Sequence, residues 1–181
     1  YLSTVTLGGP RNLTEDLVML IAAPPNKRYY WRAASYDTYD GINWSNSPKD
    51  PFDLKANDPL PAQADYAKRQ DVQIQVALNR GTDALYTSGT PKRADVPSQG
   101  LTENGGTELM QLKLNVPLLP GNRFSSIGSL STATIEDLLG SRPVYPSWIT
   151  QRYLQVPSNV PRRVRDLARN IAGRFSTPYE R

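Results

Sequence analysis

The chain has 181 residues, a net charge of +4 and 38% hydrophobic residues, and it contains neither cysteine nor histidine. This length suits one domain, or one domain with an appendage. The two missing residue types exclude a cysteine nucleophile, a Ser-His-Asp relay and Cys/His zinc sites from this chain, and leave carboxylate-based or Ser-Lys chemistry.

The 16 prolines and 12 glycines predict many turns and short strands. Ten tyrosines and three tryptophans are expected to supply much of a modest core. No apolar run reaches the roughly 18 residues of a membrane-spanning helix. The sequence shows no signal-peptide pattern, so the protein is either cytoplasmic or preceded by an upstream targeting segment.

In the first part of the chain, residues 1–10 are expected to form an opening loop. The apolar run at residues 17–23 is closed by two prolines and predicts a buried strand. Residues 29–39 predict an aromatic second strand. Asp40-Gly41 predicts a type I′ hairpin turn, because glycine accepts positive φ, and residues 42–44 would begin the returning strand.

The middle of the chain alternates between predicted loops and strands. Residues 45–69 are rich in Pro, Asp and Ala and predict a long loop. Residues 71–78 alternate apolar and polar side chains, which predicts a half-buried antiparallel strand. A short strand is expected at residues 84–87, a polar loop at residues 89–106, and a further alternating strand at residues 110–116, which Pro117 would end.

One more strand is predicted at residues 123–130, and then the character of the chain changes. Residues 134–139, followed by Gly140, predict a short helix with a glycine stop. Residues 143–156 are expected to form a loop with buried aromatic side chains.

The last predicted element is an amphipathic helix over residues 161–172, capped by Ser158 or Asn159 and followed by Gly173. Its apolar stripe has helical spacing and consists of Val164, Leu167, Ala168 and Ile171. From Arg152 onward the chain carries seven arginines and two acidic residues. This basic segment could be a solvated face, a membrane-proximal or interdomain surface, or, least of all, a nucleic-acid contact, since it lacks interleaved aromatic residues.

Two segments resemble parts of bacterial transglutaminase-like membrane proteins. The first is YYWRAASYDTYDGINW at residues 29–44, which resembles a "YWR…YDTYDGxxW" segment that lies outside the membrane in that family. The second is YLQVPSNVPRRVRDLA at residues 153–168, which resembles the "YLxLPxxxPxRVxxLA" lead-in to the transglutaminase-like core. The sequence TPY at residues 177–179 also matches the continuation of that lead-in.

From the strand pattern we predict a mainly β fold, an antiparallel β-sandwich or half-barrel with a short helix and a C-terminal amphipathic helix. The resemblance implies a β-rich accessory domain over residues 1–152 and the start of a transglutaminase-like domain over residues 153–181. It further implies a non-catalytic role on the extracytoplasmic face of the bacterial plasma membrane, positioning a papain-related cysteine protease or transglutaminase core or its substrate. The implied partners are that downstream core, adjacent transmembrane helices and cell-wall or peptide substrate, with no nucleic acid and no cofactor.

The aromatic segment supplies the candidate contact residues, which are Trp31, Arg32, Tyr36 and Trp44. One interpretation makes the two tryptophans part of the core beneath a hairpin. The alternative makes the domain a carbohydrate- or peptide-binding module of the cell envelope, with the aromatic rings as a stacking platform and Arg32 and Asp37 fixing the ligand.

A third hypothesis is an enzyme or calcium site built from carboxylates. The candidate acids are Asp37, Asp40, Asp50, Asp53, Asp58 and Asp65. Their spacing lacks the alternating ligands of a calcium loop, and aspartate is a common turn residue. We therefore predict no catalytic residue, no metal ligand and no cofactor site in this chain.

Overall fold

The computed structural model describes residues 4–6, 14–46, 49–60, 67–103 and 109–181. The strands in these ranges are β1 Thr4–Thr6, β2 Met19–Ala22, β3 Trp31–Arg32, β4 Thr38–Tyr39, β5 Asn43–Ser45, β6 Lys49–Leu54, β7 Arg69–Leu78, β8 Thr82–Ala84, β9 Thr87–Ser88, β10 Thr90–Ala94, β11 Ser98–Glu103, β12 Leu109–Leu118 and β13 Arg123–Ser131. The helices are α1 Ile135–Leu139, α2 Ser147–Tyr153 and α3 Arg162–Ala172. The opening loop predicted at residues 1–10 is wrong at Thr4–Thr6, which form β1, and its other residues lie outside the described ranges.

The chain folds into two compact units. Within the described ranges, the first unit contains residues 14–36 and 46–132, and the second contains residues 4–6, 37–45 and 133–181. The second unit is therefore discontinuous in sequence. The two units are defined by the contacts between residues, and they do not test the domain boundary predicted near Tyr153. That boundary stays a prediction.

The first unit is an antiparallel β-sandwich. One four-stranded sheet has the order β10-β13-β7-β2 and the other has the order β6-β11-β12-β8. Every strand pairing is antiparallel. Because apolar side chains alternate along β7 and β12, one face of each sheet is apolar and the two faces share a core. The predicted fold class is confirmed.

The core of the first unit is mainly aliphatic, so the expectation of an aromatic core is wrong. Its buried side chains come from both sheets and from the segment after β8, and are Leu54, Val72, Ile74, Val76, Leu78, Leu85, Ala94, Leu109, Leu112, Leu114 and Phe124. Tyr29, Phe52 and Tyr86 pack against this core from its partly buried rim. None of the core residues is tryptophan or tyrosine, because the alternating strands supply enough Val, Ile and Leu to fill it.

A two-stranded ribbon of β3 and β9 also belongs to the first unit. Thr87 and Ser88 of β9 are completely buried. The Ser88 hydroxyl donates to the Val72 carbonyl at 3.2 Å, and the Ser126 hydroxyl donates to the Tyr86 carbonyl at 2.9 Å. These bonds satisfy buried polar groups where the ribbon crosses the β7–β13 sheet.

The second unit combines a small sheet with the three helices. Its sheet has the order β1-β5-β4. Thr134 caps α1 through a capping box with Asp137, and Gly140 ends it, which confirms the predicted short helix and its glycine stop. The helix α3 and the glycine that follows it are also confirmed, but its N-cap is Pro161 without a side-chain bond, so capping by Ser158 or Asn159 is wrong.

Several element predictions are wrong. Residues 45–69 and 89–106 contain the strands β6, β10 and β11, and residues 143–156 contain α2. Residues 29–39 form two short strands instead of one, and β12 continues past Pro117 to Leu118. The strand expected at residues 84–87 is divided between β8 and β9. These segments are polar or rich in proline, and pairing with neighbouring strands overrides their weak local pattern.

Burial also departs from expectation in two places. The apolar run that contains β2 forms an edge strand, with Leu20 58% exposed, because β2 pairs only with β7 in the described sheet. The helices α1 to α3, which the structure describes in full, contain no buried residue. The apolar stripe of α3 is therefore exposed, and the expected burial of aromatic residues around α2 is wrong, since Tyr145 is exposed and Trp148 and Tyr153 are only partly buried.

Candidate ligand surfaces

Trp31 and Tyr29 form a stacked pair on the first unit. Their ring centroids lie 5.4 Å apart with an interplanar angle of 14°. The Tyr29 hydroxyl donates to the Pro24 carbonyl at 2.8 Å, which holds its ring in place. Trp31 remains 36% exposed. One face of the indole is thus covered by its own chain while part of the ring system stays open to solvent.

Arg32 and Tyr36 lie in the same unit and are partly buried. The guanidinium of Arg32 donates through Nη2 to the Leu109 carbonyl at 2.7 Å. This bond joins the β3–β9 ribbon to β12 and occupies one side of the guanidinium. Tyr36 is half-buried.

Trp44 belongs to the second unit. It lies on β5 opposite Tyr39 of β4, with ring centroids 5.0 Å apart and an interplanar angle of 28°. It is 37% exposed. The four predicted contact residues are therefore divided between the units, with Trp31, Arg32 and Tyr36 in the first and Trp44 in the second.

The hairpin next to Trp44 is confirmed, but its turn differs from the prediction. Asp40 and Asn43 close the turn through a backbone bond from Asp40 N to the Asn43 carbonyl at 3.1 Å, so Gly41 and Ile42 are the central residues. Gly41 has φ of 104°, whereas Ile42 is not among the residues with positive φ. A type I′ turn needs positive φ at both central residues, so the predicted turn type is wrong.

The side chain of Asp40 organises this turn. Its carboxylate accepts from the backbone N–H of Asn43 at 2.6 Å, from the side-chain amide of Asn43 at 2.9 Å and from the backbone N–H of Ile42 at 2.8 Å. These bonds hold the pKa of Asp40 below its ordinary value. The Asn159 side chain donates to the Asp40 carbonyl at 2.8 Å and lies where a Cβ on Gly41 would stand.

The other candidate carboxylates take part in separate local contacts. Asp37 is 4% exposed and accepts from the Thr38 hydroxyl at 3.0 Å. Asp53 accepts from Gln99 at 3.3 Å, and Asp58 accepts from the Lys55 backbone at 2.8 Å. The side chain of Asp50 and the whole of Asp65 lie outside the described residues. Among the residues that the structure does describe, no group of three or more acids could hold a metal ion.

A groove of about 470 Å³ lies on the outer face of the β10-β13-β7-β2 sheet, in the first unit. Its walls come from β2, β7, the start of β13 and Asp95. The register places Leu20 opposite Ala77 and Ala77 opposite Arg123, in one row across three strands. The next outward row contains Ala22, Gln75 and Ser125.

Sequence reasoning did not identify this groove. The only signal was Ala77, a small side chain at an outward position of a strand whose other outward residues are long and polar. Two small residues, Ala22 and Ala77, make the face concave, and only the register reveals that they are diagonal neighbours. That register depends on long-range pairing, which the local sequence does not encode.

These features define a class of protein, a mainly β domain of antiparallel sheets with three helices. The family described as the TgpA N-terminal domain matches residues 3–115, and the chain belongs to this family, the N-terminal domain of transglutaminase-like TgpA proteins. The predicted resemblance is confirmed, and the matched domain is not the catalytic core. No curated protein and no solved structure matches the chain. Among the helices that the structure describes, none combines the length and apolar character needed to cross a bilayer.

Proposed function

We propose that this chain is a non-catalytic accessory domain, on the extracytoplasmic face of the bacterial plasma membrane, of a membrane-anchored transglutaminase-like cysteine protease or transglutaminase. It positions the catalytic core or brings substrate to it. The observation that carries this proposal is the family match over residues 3–115 in a chain that has no cysteine and no histidine. Cysteine chemistry must then come from another part of the polypeptide.

The exposed helices support a contact with that core. Val164, Leu167 and Ile171 of α3 are 47%, 60% and 54% exposed, at a spacing that places them on one face. An apolar helix face of this kind usually packs against protein. The neighbouring lead-in motif at residues 153–168 makes the downstream core the expected partner.

The decisive test uses the intact polypeptide with and without residues 14–132, which contain the β-sandwich unit together with β4 and β5 of the second unit. These residues are replaced by a Gly/Ser linker, and turnover is measured on a small fluorogenic amide and on a peptide substrate. An accessory role predicts that the variant still cleaves or transfers the small amide. Its kcat/KM for the peptide should fall at least about tenfold, which corresponds to the loss of one good contact with the substrate. If the replacement left kcat/KM unchanged for both substrates, or if residues 1–181 alone were active, the proposal would be contradicted.

Location is tested separately with a single introduced cysteine. Because the chain has none, Thr132→Cys on the exposed loop before α1 places one reactive thiol in this domain. In cells whose other cysteines are replaced, a membrane-impermeant maleimide should label the intact cells. Labelling that appears only after lysis would place the domain in the cytoplasm.

The partly exposed tryptophans favour a second candidate function, a carbohydrate- or peptide-binding module of the cell envelope. Trp31 and Trp44 each rest on a tyrosine and expose about a third of their surface. The exposed part of such a ring offers a flat apolar face against which a sugar ring could stack. Titration with peptidoglycan fragments should then shift the tryptophan fluorescence in the wild type and in one of Trp31→Phe and Trp44→Phe. An unchanged spectrum in all three proteins would exclude this candidate.

A further inference from the structure

The groove on the outer face of the β10-β13-β7-β2 sheet is an apolar strip that ends at a cation. Leu20 is 58% exposed, and it lies opposite Ala77, which lies opposite the exposed Arg123. Directly opposed side chains across a sheet have Cβ atoms about 4.5–5.5 Å apart. An apolar group on Ala77 and an anionic group at Arg123 would therefore be neighbours in one ligand.

Three basic residues on or beside this sheet have side-chain partners, whereas Arg93 and Arg123 have none among the residues that the structure describes. Arg80 pairs with Asp16, and Lys92 pairs with Asp71 at 3.0 Å. Arg69 donates to Ser129 and Thr90. The side chain of Arg123 makes no hydrogen bond and no ion pair with any residue that the structure describes, although its backbone pairs with β7. Its planar guanidinium is thus available for a two-pronged contact with a carboxylate.

Two polar residues of the groove can fix the orientation of a bound peptide through hydrogen bonds. Asp95 accepts from the Ser125 backbone N–H at 2.7 Å, which fixes its carboxylate beside the second row of the groove. Gln75 is exposed in that row and offers both a donor and an acceptor. Together they can satisfy peptide N–H and C=O groups that lie across the strands.

We propose that this groove binds a short peptide that presents an apolar side chain next to a carboxylate. The apolar side chain lies on Leu20, Ala22 and Ala77, the carboxylate accepts from Arg123, and the peptide backbone bonds to Gln75. The proposal rests on the accessory function above and names the ligand class that the domain would bring to the core. The carboxylate is either the C-terminus of the peptide or an acidic side chain.

The charges favour a peptide over a lipid surface or a sugar. A membrane surface attracts a broad basic patch, whereas Arg123 is accompanied by Asp95, and Asp16 and Asp71 neutralise the neighbouring cations. A sugar-binding site commonly stacks the sugar ring on an exposed aromatic side chain. The aromatic residue in the groove wall, Phe124, is 2% exposed and faces the core.

The test is an NMR titration of the ¹⁵N-labelled 181-residue chain with three blocked peptides. They are acetyl-Gly-Ala-Leu with a free carboxylate, the same peptide with a C-terminal amide, and acetyl-Gly-Leu-Glu-Gly-amide. The amide signals of Leu20, Gln75 and Ala77 should shift saturably with at least one carboxylate-bearing peptide, and at least tenfold more weakly with the amidated Leu peptide. The first peptide alone would identify a C-terminal ligand, and the third alone an acidic side chain.

Variants of the groove residues test whether the peptide binds at this groove. Arg123→Gln should weaken peptide binding at least tenfold, and Ala77→Leu should fill the groove and weaken it similarly. Arg93→Gln is the matched control, because Arg93 is an exposed arginine of β10 that does not line the groove. The spectrum of each variant confirms its fold before titration.

Three results would overturn the proposal: no saturable shift with any peptide, equal binding to Arg123→Gln and wild type, or shifts produced by N-acetylglucosamine in place of the peptides. Each of these would leave the accessory function standing. That function is judged by the replacement of residues 14–132 in the intact polypeptide, which does not depend on this groove being the contact.

Discussion

Gly128 marks the tightest backbone approach in the first unit. A Cβ at this position would stand 1.9 Å from the Ser88 carbonyl oxygen, which belongs to a completely buried residue. Gly128→Ala should therefore destabilise the protein by about 3 kcal/mol or more, since the backbone of two elements must move. At Gly100 the obstacle is the Phe52 ring at 2.2 Å, and a ring can turn aside.

Urea unfolding compares these glycine variants. We expect Gly128→Ala to lose the most stability, Gly100→Ala less, and Gly81→Ala almost none, because the nearest atom there lies at an ordinary 3.4 Å. If Gly128→Ala and Gly81→Ala had the same midpoint, the β9 segment would not lie against β13 as described.

Asp40 makes a second prediction at the residue scale, about pH. Its folded pKa is lowered by hydrogen bonds from Asn43 and Ile42. A lowered folded pKa means that the stabilisation is fully present above the unfolded value near 4 and is lost as the pH falls through the folded pKa. Carboxyl NMR titration should place Asp40 below the usual aspartate range, and Asn43→Ala should raise it. A midpoint at or above the usual value in the wild type would contradict the turn geometry.

At the scale of elements, Arg69 ties three strands together. From the start of β7 it donates to the Ser129 hydroxyl on β13 at 2.9 Å and to the Thr90 hydroxyl on β10 at 3.0 Å, and it also bonds to the Ser129 carbonyl. Arg69→Met should cost about 2 kcal/mol, because partly buried acceptors lose a charged donor. Arg93→Gln should change the free energy of unfolding by less than about 0.5 kcal/mol. Equal effects in thermal unfolding would mean that Arg69 is not a link between strands.

The sequence predicts elements where the local pattern is strong. It misses elements that form mainly because they pair with neighbouring strands. The strands β7 and β12 follow from alternation, and α1 and α3 from periodicity and glycine stops. The strand β11 reads SQGLTE, with a glycine and several polar residues, and exists because it pairs with β12 on one side and β6 on the other. The groove escaped prediction for the same reason, since Ala22, Ala77 and Arg123 meet only through register.

At the scale of the molecule, the two units should differ in local stability. The first has a core whose side chains, such as Ile74 and Leu85, are 1% exposed, whereas the helices of the second contain no buried residue. Amide hydrogen exchange at equilibrium should therefore be slowest in β7, β12 and β13 and much faster in α1 to α3. Comparable protection in α3 and β7 would show that a partner, such as a second copy of the chain, covers the apolar face of α3.

The order of the two units along the chain has a consequence during synthesis. The first unit ends at residue 132, so its sandwich can form before α1 to α3 leave the ribosome. The hydrogen bond from Asn159 to the Asp40 carbonyl forms later, because Asn159 follows Asp40 by 119 positions. At ordinary rates of translation this delay is on the order of seconds. During that time the hairpin of Tyr39 and Trp44 lacks the helices of its own unit, and incompletely folded segments with exposed apolar side chains are prone to aggregate.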